Sequence, residues 1–162
     1  MIQFRHGFYA DVRTEDRSRT TITYKSGALE EMKTRVERRA LIRVYDGKMW
    51  YYSSVTDLAH LQKTLDGLYD AATPNADIQN DPVVRRFERN RDTLLSFADS
   101  SVRDIPSKDK QALLLSYLPL LSEDSCVTMP RGTYLDRNSL FRFRSSLGAD
   151  ITYDYQTCGL SF

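Results

Sequence analysis

Two histidines and two cysteines are the side chains from which this chain could build a catalytic or metal site: His6, His60, Cys126 and Cys158. A zinc hydrolase needs about three protein ligands, typically two histidines on one helix face and a third ligand from elsewhere. His6 and His60 are far apart in the sequence, and the leucine-periodic surroundings of His60 are typical of a helix surface. The sequence therefore predicts no metal site and no catalytic residue. An independent hydrolase with Cys126 or Cys158 as nucleophile stays an open alternative, although neither cysteine lies in a recognisable local motif.

The composition is that of a globular chain of 162 residues, with 41% hydrophobic and 28% charged residues. The net charge of +1 argues against a dedicated nucleic-acid binder, which usually carries a basic surface. No apolar run reaches the roughly 18 residues that a membrane span needs, and the first residues lack the apolar stretch of a secretion signal. We therefore expect a cytoplasmic protein without nucleic-acid or membrane partners, in which both cysteines are free, partly buried thiols.

The strongest turn signal is Asp46-Gly47, in a stretch that also contains the single tryptophan, Trp50. A two-residue type I′ loop needs positive φ at both positions, and Asp-Gly is a preferred pair for it. With that loop, Arg43 lies opposite Trp50, and alternating side chains sort into two faces. One predicted face belongs to the core and contains Ala40, Ile42, Val44, Met49 and Tyr51.

The opposite face of this hairpin mixes apolar and charged side chains, and it holds the candidate contact residues Leu41, Arg43, Trp50 and Tyr52. Arg43 can make a cation–π contact with Trp50, and Leu41 and Tyr52 add apolar area beside that pair. Two interpretations stay open. The face is either a second packed layer within the domain or a docking surface for another part of the protein or a second subunit.

Strands are also predicted before the hairpin, over Phe8–Arg13 and Thr20–Lys25, with a polar turn at Thr14–Arg19 between them. Ser26-Gly27 ends the second of these strands. Ala28–Arg39 has a helix-forming composition but lies between two strand signals, so we assign its second half to a strand.

Two helices are predicted after the hairpin. Ser54 is the expected N-cap of the first, with Asp57 three residues on, and this helix should end near Thr73-Pro74. The second begins at Ser107 and has leucines nearly all round it, so we expect it to be deeply packed. An apolar stripe lets the first helix cover the core face of the hairpin: Leu58, Leu61, Leu65, Leu68 and Ala72.

The segment between the helices is the least regular part of the sequence. Asp81-Pro82 is suited to cap a helix through Phe87, Leu94 and Phe97, whereas the many arginines there indicate a solvated connector. After the second helix, turns are predicted at Asn138-Ser139 and Ser146–Gly148. They separate four expected strands: Cys126–Met129, Gly132–Leu135, Leu140–Arg144 and Ile151–Tyr155.

These elements predict an α+β fold with mostly antiparallel sheets in two strand-rich halves, packed with two main helices. The whole chain, residues 1–162, is expected to be one domain. Its expected halves are 1–75 and 105–162, joined by a connector over 76–104. A weak echo of Tyr24–Gly27 in Phe143–Gly148 leaves open whether the halves are duplicates.

A set of short segments, in the same order over nearly the whole chain, resembles the N-terminal domain of the TldD/PmbA family. These segments are Asp11–Arg13, Thr20–Ile22, Lys25–Glu31, Arg43–Lys48, Ser53-Ser54, Ser107–Lys110, Tyr134–Asp136 and Ser145–Gly148. The family was historically called modulator of DNA gyrase and is now understood as metallopeptidases. The chain departs from the family pattern at Arg39–Leu41, where the family tends to have glycines, and at Trp50–Tyr52, where it tends to have Gly-Phe-Ala.

The resemblance implies chemistry for a parent protein rather than for this chain. The family's metal-binding HExxxH motif and its distant cysteine lie in a C-terminal half that this sequence lacks, which implies zinc there and no cofactor here. Because the chain stops at Gly159–Phe162, within an apolar strand-like run, we expect a piece of a longer protein. The implied parent is a cytoplasmic zinc-dependent peptidase that acts on unfolded peptides as a homo- or heterodimer. This piece would supply substrate-chamber or dimer contacts and bind the missing C-terminal half.

A second hypothesis belongs to a different class of function. A stand-alone interaction module could bind extended peptides by adding a strand to an exposed sheet edge.

Overall fold

The computed structural model describes residues 2–121, 123 and 126–162. Within them the strands are β1 (Tyr9–Lys25), β2 (Ala28–Tyr45), β3 (Trp50–Val55), β4 (Arg91–Leu94), β5 (Arg131–Ser145) and β6 (Asp150–Ser161). The α-helices are α1 (Leu61–Ala71) and α2 (Ser107–Leu121), and short 3₁₀ turns occupy Leu58–His60, Ile78–Asn80 and Val84–Arg86. No helix among the described residues is long and apolar enough to cross a membrane.

The strands form one mixed sheet of six strands in the order β3-β2-β1-β5-β6-β4. Tight turns make the β1–β2, β2–β3 and β5–β6 pairs antiparallel. The N–H groups of Ser26 and Ser146 donate to the carbonyls of Pro130 and Ala10, so β1 and β5 are antiparallel as well. The short β4 pairs with β6 in parallel. The predicted α+β class, mostly antiparallel with two main helices, is confirmed.

Two compact units make up the chain, and each has its own core. The first unit contains Met1–Asp16, Glu37–Leu95 and Leu140–Tyr153. In it α1 lies on the sheet, as the sequence predicted, through Leu61 and Leu65 of the predicted stripe and also through Tyr69. The buried sheet residues against which this helix packs are Phe8, Ala10, Val12, Ala40, Ile42 and Val44.

The second unit contains Arg17–Val36, Ser96–Ser139 and Asp154–Phe162. Its core joins Leu114 of α2 to Ile22, Tyr24 and Tyr134 on the strands. The predicted deep packing of α2 is wrong, because a helix that lies on one side of a sheet can bury one stripe of its surface. Lys110 and Leu114 are buried on that stripe, whereas Leu113, Tyr117 and Leu120 are exposed.

The first strand is longer than the sequence indicated. The turn predicted at Thr14–Arg19 is wrong, since β1 continues through it. Polar side chains there find partners on β2. Glu15 and Asp16 lie 2.6 Å and 2.8 Å from the guanidinium groups of Arg39 and Arg38.

The segment of ambiguous composition, Ala28–Arg39, is strand along its whole length. Ser26 and Gly27 have φ values of 49° and 78°, and positive φ at two central residues is what a type I′ hairpin requires. The predicted break at Ser26-Gly27 is therefore a tight hairpin turn that returns the chain along β1.

The hairpin at Asp46 has a register different from the predicted one. Tyr45 pairs with Trp50 and Arg43 with Tyr52, a shift of two residues. Because side chains alternate, a shift of two keeps the two faces of each strand unchanged. Met49, however, falls in the loop, where it is 60% exposed instead of lying on the core face.

Asp46 stabilises this longer loop. Its N–H donates to the carbonyl oxygen of Met49, and its carboxylate accepts from the N–H groups of Lys48 and Met49, both at 2.8 Å. Gly47 has the positive φ of 96°. A side chain that competes for local N–H groups thus selects a wider turn than the dipeptide alone predicts.

The remaining differences concern element ends. Asp57, rather than Ser54, caps the first helical turn by accepting from the N–H of Ala59, and Ser54 belongs to β3. The helix suggested through Phe87, Leu94 and Phe97 is absent from a segment that forms two 3₁₀ turns and β4. Asn138-Ser139 lies inside the continuous β5, and Cys126–Met129 precedes that strand without forming one.

Candidate functional site

We define the hairpin surface as Leu41, Arg43, Trp50 and Tyr52. These four side chains have two different environments. Arg43 donates to Asp11 through Nε at 2.9 Å and Nη2 at 2.7 Å. Its guanidinium carbon lies 5.0 Å from the centre of the Trp50 ring, so the predicted cation–π contact is present. It joins diagonal neighbours, because Arg43 is opposite Tyr52.

Trp50 belongs to an aromatic cluster within the first unit. Its ring stacks on Tyr45 at 4.9 Å between centres and meets Tyr9 and Phe87 edge-on at 5.8 Å and 6.2 Å. Burial, and then the neighbouring Asp11 carboxylate, raise the pKa of Tyr9. The hydrogen bond to Asp11 raises the pKa of Arg43 although burial opposes it. At neutral pH Tyr9 therefore stays uncharged and Arg43 stays protonated, so both provide packing rather than proton transfer.

Leu41 and Tyr52 have a different environment. Their exposed fractions are 43% and 74%. The structure therefore brings Arg43 and Trp50 together in a packed layer and leaves Leu41 and Tyr52 accessible to another molecule. Contact of the hairpin surface with a partner or a peptide stays a prediction.

A buried polar cluster lies in the second unit, around Lys110 and Asp136. Lys110 Nζ lies 2.5 Å from Asp136 Oδ2 and donates to Thr20 Oγ1 at 3.3 Å. Asp136 also accepts from the N–H of Thr20 and from the hydroxyl of Tyr134, both at 2.9 Å. Burial, and then Asp136, raise the pKa of Tyr134.

This cluster has the properties of a structural element. Lys110 and Asp136 are each 4% exposed, so neither reaches a solvent-borne substrate. The carboxylate is occupied by donors on both oxygens, as burial of a charge requires.

The side chains singled out for metal or nucleophilic chemistry are dispersed. Nδ1 of the exposed His60 lies 3.0 Å from Asp57. Cys126 and Cys158 are thiols outside any disulfide, as expected, but they are exposed rather than partly buried. In residues 2–121, 123 and 126–162 no three His, Cys, Asp or Glu side chains cluster closely enough to hold a metal ion. The family resemblance implies zinc only for the C-terminal half of a parent protein, and the residues described here offer no ligand set for it.

A fully exposed strand segment was not assigned to a site by the sequence. The outer segment of β2, which we define as Ala28–Val36, is exposed at every residue, and it includes Leu29, Met32 and Val36 at 47%, 41% and 56%. β3 pairs with β2 over Ala40–Tyr45. No described strand continues that pairing along the outer segment, which is a free sheet edge.

One sequence signal could have identified this edge. From Glu31 to Val36 charged residues alternate with uncharged ones, so Glu31, Lys33 and Arg35 share one face of the outer segment. This period of two indicates a strand, although the residue types there favour a helix.

Comparison with known proteins gives a family and a fold. Residues 10–72 match the sequence profile described as PmbA/TldA metallopeptidase domain 1. No curated protein sequence matches the chain.

Solved structures share the fold at low sequence identity. A proposed modulator of DNA gyrase from Thermotoga maritima superposes with a TM-score of 0.70 at 16% identity, over 95% of this chain and 34% of that one. One from Bacteroides thetaiotaomicron gives 0.72 at 14% identity, over 94% and 36%. TldE from Thermococcus kodakarensis gives 0.68 at 8% identity, over 94% and 35%.

The chain thus spans about a third of the length of the solved structures that it matches. The resemblance indicated by the sequence is confirmed, because residues 10–72 match the model of the first PmbA/TldA domain and nearly the whole chain shares the fold of these solved structures.

Proposed function

We propose that this chain is the non-catalytic N-terminal domain of a TldD/PmbA-like zinc-dependent peptidase, where it forms substrate-chamber or dimer contacts for unfolded peptides. The observation that carries the proposal is the free edge of the outer segment of β2, exposed at every residue. A strand edge offers main-chain donors and acceptors to another chain. The parent's zinc and catalytic residues would belong to its C-terminal half.

The reading frame that follows Phe162 in the gene tests this assignment. An HExxxH motif encoded there supports the peptidase parent. A stop codon directly after Phe162 contradicts it and favours the second candidate function.

That second candidate is a stand-alone module that binds extended peptides by strand addition. The same free edge favours it, because strand addition needs an unpaired edge and accepts many sequences through main-chain hydrogen bonds. The two candidates differ in what the isolated chain does with a peptide.

A single assay on the whole chain separates them. An unstructured fluorescent peptide is mixed with the chain and zinc, binding is followed by anisotropy, and peptide mass is followed by mass spectrometry. We expect unchanged peptide mass, and cleavage would contradict a non-catalytic role. Peptide binding that is lost in Val36→Pro would support the module.

A further inference from the structure

We infer that the outer segment of β2 binds the same segment of a second copy of this chain, as an antiparallel strand pair about a two-fold axis. This pairing rests on the proposed function, because it names the partner of the contact surface assigned there. Four features of the segment support this pairing: the direction of its main-chain groups, the order of its charges, its exposed apolar side chains and the lack of a described strand beside it.

Main-chain groups of the outer segment point away from β1 at known positions. N–H directions alternate along a strand. The N–H of Asp46 points toward β3, where it meets the carbonyl of Met49. Asp46 directly follows β2, and Thr34 and Val36 precede it by 12 and 10 residues along a continuous extended chain, so their N–H groups point to the same edge. The pairing of β3 with β2 begins at Ala40, so no described strand accepts the N–H groups of Thr34 and Val36.

The order of charges favours an antiparallel partner of the same sequence. Glu31 precedes Lys33 and Arg35 on one face of the strand. Antiparallel pairing centred on Met32 places Glu31 opposite Lys33 of the second copy, whereas pairing centred on Lys33 would place Lys33 opposite its own copy and is disfavoured. Parallel in-register pairing would instead align like charges, which is unfavourable for directly opposed residues.

These charges are available for such pairing. The ion pairs within the described part of the chain do not use Glu31, Lys33 or Arg35. Their side chains are exposed. An intermolecular pair therefore need not break an existing one.

Apolar side chains add contact area along the same segment. Leu29, Met32 and Val36 are exposed. Large apolar residues on an edge strand promote association, whereas edges designed to stay single carry bulges, prolines or a cover. The outer segment contains no proline, and β3 covers β2 over Ala40–Tyr45.

Disulfide scanning of the full chain tests this arrangement. Met32→Cys, Lys33→Cys and Thr34→Cys are made separately in a background with Cys126→Ser and Cys158→Ser, and oxidised glutathione is added. Residues at a two-fold axis face their own copies within disulfide reach. We expect a cross-linked dimer at one or two adjacent positions. The control is Lys63→Cys on α1, which should remain uncrosslinked.

Val36→Pro supplies the second arm, with Val36→Ala as its matched control. Proline removes the outward N–H without removing a bond to β1, since its position faces the free edge. We expect light scattering at rising protein concentration to show dimer for the parent chain and Val36→Ala, and monomer for Val36→Pro with unchanged circular dichroism.

Each contrary outcome has a distinct meaning. A monomer at all concentrations with no cross-link above the Lys63→Cys control overturns the self-pairing, while the non-catalytic role remains testable by peptide mass. Saturable peptide binding at the edge without dimer formation also overturns it and selects an extended peptide as the occupant. Peptide cleavage alone would overturn the proposed function and leave the dimer result standing.

Discussion

Asp136 lies at the centre of the buried polar cluster. Its carboxylate accepts from Lys110, Tyr134 and the N–H of Thr20 in the second unit. Removing one member of a buried ion pair leaves an uncompensated charge, which costs about 3–5 kcal/mol. We therefore expect Asp136→Ala to lower the free energy of unfolding by about that amount, measured in urea.

Two further variants make this prediction specific. Arg38→Ala breaks a pair with Asp16 in which the arginine is 65% exposed, and it should cost less than about 1 kcal/mol. The double variant Lys110→Met/Asp136→Leu removes both charges and should be more stable than Asp136→Ala alone. Equal costs for Asp136→Ala and Arg38→Ala would contradict a buried, interdependent cluster.

Asp46 gives stability a pH dependence. Burial favours its neutral form, but hydrogen bonds from the N–H groups of Met49 and Lys48, and from Tyr51 and Thr73, outweigh burial and lower its pKa. A carboxyl whose folded pKa lies below the unfolded value, about 3.9, contributes stability above that value. The contribution is lost as the pH falls through the folded pKa.

The variant Asp46→Asn isolates this contribution. At pH 7 we expect it to lower the free energy of unfolding by about 1–2 kcal/mol, because hydrogen bonds to a charged acceptor become neutral ones. Below about pH 4 the difference from the parent chain should shrink progressively, since the Asp46 carboxyl takes up its proton first in the unfolded chain and only at lower pH in the folded one. A difference that stays constant between pH 7 and pH 3 would show that Asp46 acts without its charge.

At the scale of elements, two glycines occupy opposite situations. Gly47 in the β2–β3 loop has φ of 96°, and a Cβ there would lie 2.5 Å from Asn75 Nδ2. Gly67 lies within α1, where an added Cβ would meet nothing within 4 Å. We expect Gly47→Ala to destabilise the chain by more than about 1 kcal/mol.

Gly67→Ala should stabilise the chain by about 0.5–1 kcal/mol, since alanine is the better helix former. Thermal unfolding of the two variants checks both signs, and a loss for both would mean that α1 tolerates no side chain there.

The sequence predicted elements best where one face is buried and the other wet. The stripe of α1 and the core face at Ala40, Ile42 and Val44 follow from periodicity alone, because α1 covers one side of that strand. Over Ala28–Arg39 a helix-forming composition obscured the alternation of Glu31, Lys33 and Arg35 with uncharged residues. Over Thr14–Arg19 ion pairs across strands hold polar side chains that the sequence indicated for a turn.

The candidate site was predictable in the same uneven way. The contact of Arg43 with Trp50 follows from face alternation, which survives a shift of register by two. The register itself does not follow, since the carboxylate of Asp46 selects the loop. The ring contacts of Trp50 with Tyr9 and Phe87 do not follow either, because these residues are distant in sequence.

At the scale of the whole molecule, the fold persists where sequence identity does not. Superposition over 94% of the chain holds at 8% identity. Burial pattern and hairpin geometry, rather than particular side chains, determine such a fold. Surface residues are therefore free to differ, and a contact surface must be located in this chain by its own exposed edges and side chains.

Two surfaces compete for the role of dimer contact, and one comparison separates them. Trp50→Ala is unsuited to the purpose, because it removes ring contacts with Tyr9, Tyr45 and Phe87. It should cost about 2–3 kcal/mol for a half-buried ring. Loss of assembly in that variant would not distinguish unfolding from a lost interface.

Leu41→Ser/Tyr52→Ala avoids this difficulty, since both side chains are exposed and surface substitutions usually stay within about 0.5 kcal/mol. If the outer segment of β2 forms the dimer, this variant should keep the mass of the parent chain in light scattering, while Val36→Pro should reduce it to the monomer. The opposite pattern, with Val36→Pro dimeric and the double variant monomeric, would move the interface to the hairpin surface. Unfolding of each variant in urea, measured alongside, ensures that a change in mass reports association rather than stability.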